Sequence, residues 1–368
     1  MAATGFGKVS AEVSLSDRHR RLEYAMPPRA VPAGPSAPPS GRAALPRGGR
    51  HVPRGRRRTV WALLLACSLL GAAACEPAAP QDGKGPWASP FTGMPAHDGQ
   101  VLAVKLDNAR RARPHLGVEQ ADLVYFEKVE GGMSRLMGVY ASRYPAAVGP
   151  VRSVRESDLE LLAQFGRPAL AYSGVRSDLR GEIERSPNQV VPPSVAPGAY
   201  FRDFDRPAPH HLFVDPREAL RAAPQADRGG DIGFRFGPRP DGGRPTAQRS
   251  VRYSAAEVGF SWSDSGSRWL ASFDGAPAMG GSGRRLGART VVIQHVTMRP
   301  SRFTDFSGAV TPYIETVGRG RATVLRDGRA YETTWQRPAA GSGTSFTRPD
   351  GEPMPFAPGQ VWVVYADR

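Results

Sequence analysis

Cysteine is almost missing from this chain: the two it has, Cys67 and Cys75, lie in or directly after one apolar run near the N-terminus. Beyond residue 75 the chain can form no disulfide, no zinc–thiolate site and no thiol nucleophile, so packing must hold the body together. Lysine is scarce too, with only Lys8, Lys84, Lys105 and Lys128 among 49 cationic residues. Together with abundant Ala, Gly and Pro, this reads as the coding bias of a GC-rich genome. Long apolar runs are lacking: residues 59–74 are 16 long, short of the roughly 20 that cross a bilayer comfortably. The net charge of +15 comes without a recognition helix, a zinc knuckle or an aromatic ribonucleoprotein signature. It is also uneven: residues 1–75 carry 12 Lys/Arg against 3 Asp/Glu, and the other 293 carry 37 against 31. Nucleic acid is excluded as the main partner.

The excess cations have another use. Arg54, Arg56, Arg57 and Arg58 precede TVWALLLACSLLGAAAC, which ends at Cys75. Cations, a short apolar core and small residues form a secretory signal, with the cations kept inside. Ala72-Ala73-Ala74 before Cys75 resembles a bacterial lipobox, although the usual Leu at the third position before the cysteine is Ala72 here. Residues 54–75 are therefore read as a lipoprotein signal peptide with Cys75 as the lipidated residue. The alternative is plain secretory cleavage near Ala74. Residues 1–53, rich in Pro, Ala, Gly and Arg, are expected to be disordered or to precede the true start, at Met26 or Val52. Residues 76–95 read as a tether.

The body is expected to be α+β. A mixed α/β module spans 96–228, and a mainly antiparallel β module spans 246–368, with 225–250 as the polar boundary. Val101–Asp107, Asp122–Glu130 and Arg135–Ser142 read as strands, the last two joined at Gly131-Gly132. Capping-box patterns at Ser153–Glu156 and Ser157–Glu160 open a helix, and another is expected near Pro216–Ala223. Beyond 250, short strand-like runs alternate with turns such as Asp274-Gly275, Asp327-Gly328 and Asp350-Gly351.

Several ordered motifs run through this body. They include Pro90–Pro95, Val104–Asn108, Ala112–His115, Ala121–Tyr125, Val129–Arg135 and Gly149–Arg155 with Asp158. Gly320–Trp335 and Pro358–Trp362 continue them. In these motifs the chain resembles the YerB-like bacterial lipoproteins over roughly residues 90–366, with His115 where Gln is expected and Ser134 where Thr is expected. The resemblance implies a lipoprotein with two modules of unknown function. It implies no activity or ligand.

Chemistry, if present, belongs to the densest polar cluster: Asp107, Asn108, Glu127, Glu130, Arg135, Arg152, Arg155 and Asp158. Arg152 and Arg155 at a helix start suit an anionic group of an envelope ligand. The competing reading is that they pair with Asp107, Glu127, Glu130 or Asp158 and lock the sheet to its loop. Acid–base catalysis or a hard metal at Asp107, Glu127 and Glu130 is weaker, because Glu127 and Glu130 point to opposite faces of a regular strand. His210-His211 has no third metal partner and reads as a loop feature. Gly280–Gly287 lacks a P-loop lysine and reads as a hairpin loop, Ser153 and Ser173 lack a GxSxG elbow, and Trp262, Trp269, Trp335 and Trp362 read as core.

The expectation is thus a lipid-anchored protein on the extracytoplasmic face of the cell membrane, with no cofactor and no metal. It would be a non-catalytic binding or assembly module. The alternative is an envelope enzyme acting on phosphorylated lipid-linked glycans through an Arg/carboxylate pocket. Oligomeric state and ligand identity stay open.

Overall fold

In a computed structural model the described residues are 88–368, apart from Phe306. The leader, Cys75 and the tether up to residue 87 lie outside them. The first strands form where the apolar runs predicted them: β1 (Leu102–Asp107), β2 (Leu123–Lys128) and β3 (Ser134–Tyr140). A turn at Glu130–Gly132, with Gly131 and Gly132 at positive φ, closes the β2–β3 hairpin. Glycine reaches that backbone region at no steric cost. Next come helix α1 (Glu156–Leu162), β4 (Ala169–Ala171), helix α2 (Ser177–Arg185) and β5 (Gln189–Val190). The hairpin of β6 (Tyr200–Arg202) and β7 (Leu212–Val214) and helix α3 (Pro216–Arg221), capped by Asp215, complete this half.

One sheet of eleven strands runs through both halves. Its order is 345–347, 329–337, 318–326, 290–296, 361–367, β2, β3, β1, β4 and β5, with 244–245 beside 329–337. The C-terminal strand Val361–Asp367 lies parallel both to Thr290–Val296 and to β2, and so joins the halves. The central strands are buried on both sides, which explains why β1, β2 and 361–367 read as nearly continuous apolar runs. Alternate side chains feed two cores. Leu102, Val104, Val124, Phe126, Trp362 and Val364 face one; Ala103, Leu123, Tyr125, Met137, Val363 and Tyr365 face the other. The first core is covered by a smaller antiparallel sheet built on 248–252, 257–263 and 268–273, through Phe260, Trp269 and Phe273. The second is covered by α1 and α2 and by the ribbon 298–304/310–314.

Two expectations need correction. The fold is mainly β with a mixed central sheet, and helices are fewer and shorter than an α/β first half implies. The polar boundary at 225–250 is not free chain: Ile232 and Phe234 are buried, and 235–236 and 244–245 pair with 355–356 and 329–330. Nor is all of 76–95 a tether, since Phe91 is buried edge-on against Phe165. The unexpected α2 carries only Leu179 and Ile183 as buried apolar residues and holds Gly181 mid-helix, a weak helical signature. Trp269, Trp335 and Trp362 are fully buried core, as their strand positions suggested.

Candidate functional site

Strand alternation explains where the polar cluster forms. Ala103 of β1, Tyr125 of β2 and Met137 of β3 belong to the second core. Counting by twos, Lys105, Asp107, Glu127 and Arg135 share that face. Because β3 lies between β2 and β1, register sets Glu127 opposite Arg135 and Arg135 opposite Asp107. Three linked ion clusters result.

The innermost is closed. Lys105 Nζ contacts Glu127 Oε2 and lies 2.6 Å from Asp158 Oδ1 of α1, and Lys105 and Asp158 are wholly buried. Burial disfavours the ammonium, but the two carboxylates outweigh it and raise the Lys105 pKa. Two acids then share one cation. Burial first, and Asp158 second, push the Glu127 carboxyl up to about 8. A displaced pKa flags functional sites. Here the groups face one another and are almost wholly buried, so the trio serves as a rivet between sheet and helix.

The second cluster ties the hairpin turn to the start of α1. Arg155 grips Glu130 with its fork, Nε to Oε1 at 2.6 Å and Nη2 to Oε2 at 2.9 Å, and Nη1 donates to the carbonyls of Ser153 and Val154. Burial opposes the Glu130 carboxylate, yet Arg155 and the Thr311 hydroxyl hold it below the usual range. With its donors committed and a seven-residue helix behind it, Arg155 forms the structural lock rather than an anion claw. Further along α1, Glu160 accepts from Tyr313 Oη at 2.7 Å and from the Thr316 amide at 2.7 Å, and its carbonyl accepts from the fully buried Arg337 at 2.6 Å.

The third cluster is cationic. Asp107 meets Arg135 Nη1 at 3.0 Å, Arg152 Nε at 3.2 Å and His210 Nδ1 at 2.7 Å, and accepts the Ala109 amide at 3.1 Å. Burial works against this carboxylate, but Arg135, the Ala109 amide and Arg152 hold its pKa below the ordinary value. Asn108 donates to Ser134 Oγ at 2.9 Å and accepts from Arg113. Arg135 is only 5% exposed, and its Nε has no hydrogen-bond partner. It also lines an open cavity of about 530 Å³ with Asn108, Arg110, Arg113, Arg252 and Tyr253.

Two participants escaped sequence reading. Lys105 sits in an apolar strand, and a lone lysine there, in a chain with so few, is itself a signal that buried carboxylates await it. His210 reaches Asp107 only because the β6–β7 hairpin folds over the end of β1, which nothing local announces. Among the described residues no group of three His, Cys, Asp or Glu side chains gathers to hold a metal.

The geometry defines a β-rich, two-half envelope of residues around one sheet, with internal ion locks beside an arginine-lined cavity. The chain belongs to the family described as "Protein of unknown function (DUF3048)": its N-terminal domain matches residues 91–229 and its C-terminal domain residues 249–363. It is similar to a Bacillus subtilis (strain 168) protein named "Putative lipoprotein YerB", 24% identical over 323 residues, covering 83% of this chain and 93% of that protein. The crystal structure of the YerB protein from Bacillus subtilis matches with a TM-score of 0.65 at 20% identity, over 76% of this chain and 96% of that one. That likeness shows the shared fold.

Proposed function

We propose that this protein is a lipid-anchored, extracytoplasmic binding module, tethered through Cys75, that captures an anionic ligand of the cell envelope. The lipoprotein part is supported by the arginine-prefaced leader ending at Cys75 and by the name of its Bacillus relative. The binding part is carried by one observation: Arg135 is buried beside a cavity with a hydrogen-bond donor left over after Asp107 has been shared with Arg152 and His210. A buried, unmet guanidinium donor costs free energy that an anionic oxygen recovers. The other carboxylates of the cluster are saturated by their own partners, and that filled arrangement favours capture over acid–base chemistry. The envelope-enzyme reading draws no support from it.

The test has two parts. Labelled palmitate is incorporated by the wild-type protein and not by Cys75→Ser. Phosphate protects the purified full chain against thermal unfolding, and Arg110→Gln, which removes an exposed cation from the cavity wall, weakens that protection at least fivefold. Equal protection of both proteins, or none of either, would sink the binding reading.

A further inference from the structure

The cavity at Arg135 continues. A second chamber of about 450 Å³ shares Arg110, Arg113 and Asp274 with it and is lined by His115, Phe273, Ala276, Pro277 and Met279. The two chambers form one trough between the Arg110–His115 segment of the first half and the 268–273/276–277 hairpin of the second. Arg113 stands at the junction. Its guanidinium lies 4.9 Å from the centre of the Phe273 ring, 2.9 Å from Asp274 and 2.7 Å from the Asn108 carbonyl.

The ends differ in chemistry. At the first, the Arg135 Nε is buried without an acceptor, and Arg110 is exposed and has no acidic partner among the described residues. The acids of this chamber, Asp274 and Glu257, are already paired with Arg113 and Arg252. Arg110 without a carboxylate and Arg135 with only a share of Asp107 leave this chamber with excess positive charge, which suits a dianion better than a single carboxylate. At the other end the walls are aromatic, proline and aliphatic, with one polar exception. His115 is fully buried, and its Nε2 lies 2.7 Å from the Asp107 carbonyl, which can only accept. Nε2 therefore carries the hydrogen. Burial pushes the ring pKa down to about 4, so the imidazole is neutral and Nδ1 is a bare acceptor. That Nδ1 is buried with no donor facing it. The Arg135 donor lacks an acceptor beside the first chamber, and the His115 acceptor lies sealed behind the wall of the second.

We infer that the trough binds an amphiphile with a phosphomonoester head and a short apolar body. The head sits by Arg135 and Arg110, and the body lies along Phe273, Pro277 and Met279. Each chamber falls within the range of small-molecule sites. The inference rests on the anion-binding reading above and adds the ligand class.

Calorimetry on the full chain tests it with three probes below their micellar concentrations: 1-octanoylglycerol 3-phosphate, inorganic phosphate and 1-octanoylglycerol. A buried methylene is worth roughly fourfold in affinity, so covering about three makes the first probe on the order of 50-fold tighter than phosphate. Arg110→Glu weakens both phosphate-bearing probes at least tenfold. Ala276→Asp, at an exposed position of the apolar end, weakens only the acylated one. Both sites are exposed, and circular dichroism confirms that the variants are folded. If phosphate and its acylated form bind equally, with dependence on Arg110, the amphiphile inference falls and anion binding stands. If octanoylglycerol binds as tightly as its phosphate, the head-group assignment is overturned. If no probe binds, both readings fall.

Discussion

Glu127→Gln removes one ionisation from the sealed cluster while keeping a neutral oxygen acceptor for Lys105 Nζ. The folded carboxyl titrates at about 8, whereas an unfolded glutamate titrates near 4.3. Its folded pKa is raised, so its contribution to stability is complete below the unfolded value and is lost as pH climbs through 8. His115 acts in the opposite sense. Its folded pKa is depressed to about 4, so stability falls as pH drops below the ordinary imidazole range near 6.5. The two effects oppose each other at lower pH, and only Glu127 of the pair operates between roughly pH 6.5 and 8. Over those one and a half units, at 1.36 kcal/mol per unit, the wild type loses about 2 kcal/mol, which lowers Tm by roughly 4–8 °C. The assay is thermal unfolding followed by far-ultraviolet circular dichroism at half-unit pH steps from 6 to 9. Glu127→Gln flattens this segment of the curve and leaves the variant the more stable protein at pH 9. Parallel curves for the two proteins would refute the assignment of a protonated, buried Glu127.

Two further outcomes test the ion locks. Lys105→Met strips the shared cation from Glu127 and Asp158 and costs about 3–5 kcal/mol at pH 7, read by urea unfolding. Asp107→Asn leaves Arg135 and Arg152 without their carboxylate and costs about 3 kcal/mol at pH 7. Because the folded Asp107 pKa is depressed, the gap between variant and wild type closes as pH falls below the ordinary carboxylate range, and calorimetry with phosphate shows tighter binding to the variant.

Much of the local structure was legible beforehand. Apolar runs located β1, β2 and β3 to within a few residues, and the Gly131-Gly132 turn joined the last two. Asp274-Gly275 and Asp327-Gly328 turn as expected, with both aspartates at positive φ, because short polar side chains tolerate that backbone region. The cluster Asp107, Asn108, Glu127, Glu130, Arg135, Arg152, Arg155 and Asp158 was also visible as a concentration of charge. Periodicity and turn chemistry act over a few residues, and those signals lie in the chain itself.

What only the tertiary structure decided is which charge meets which. Arg155 is spent on Glu130 and Arg152 shares Asp107 with Arg135, because β3 runs between β2 and β1 and the segment before α1 folds back across the strand ends. The C-terminal strand enters beside β2, more than 230 positions away in sequence, and makes one sheet of two halves that read as separate modules. Pairings at that range depend on burying both faces of the sheet at once. Burial is a property of the assembled layers, and no short window of residues contains it.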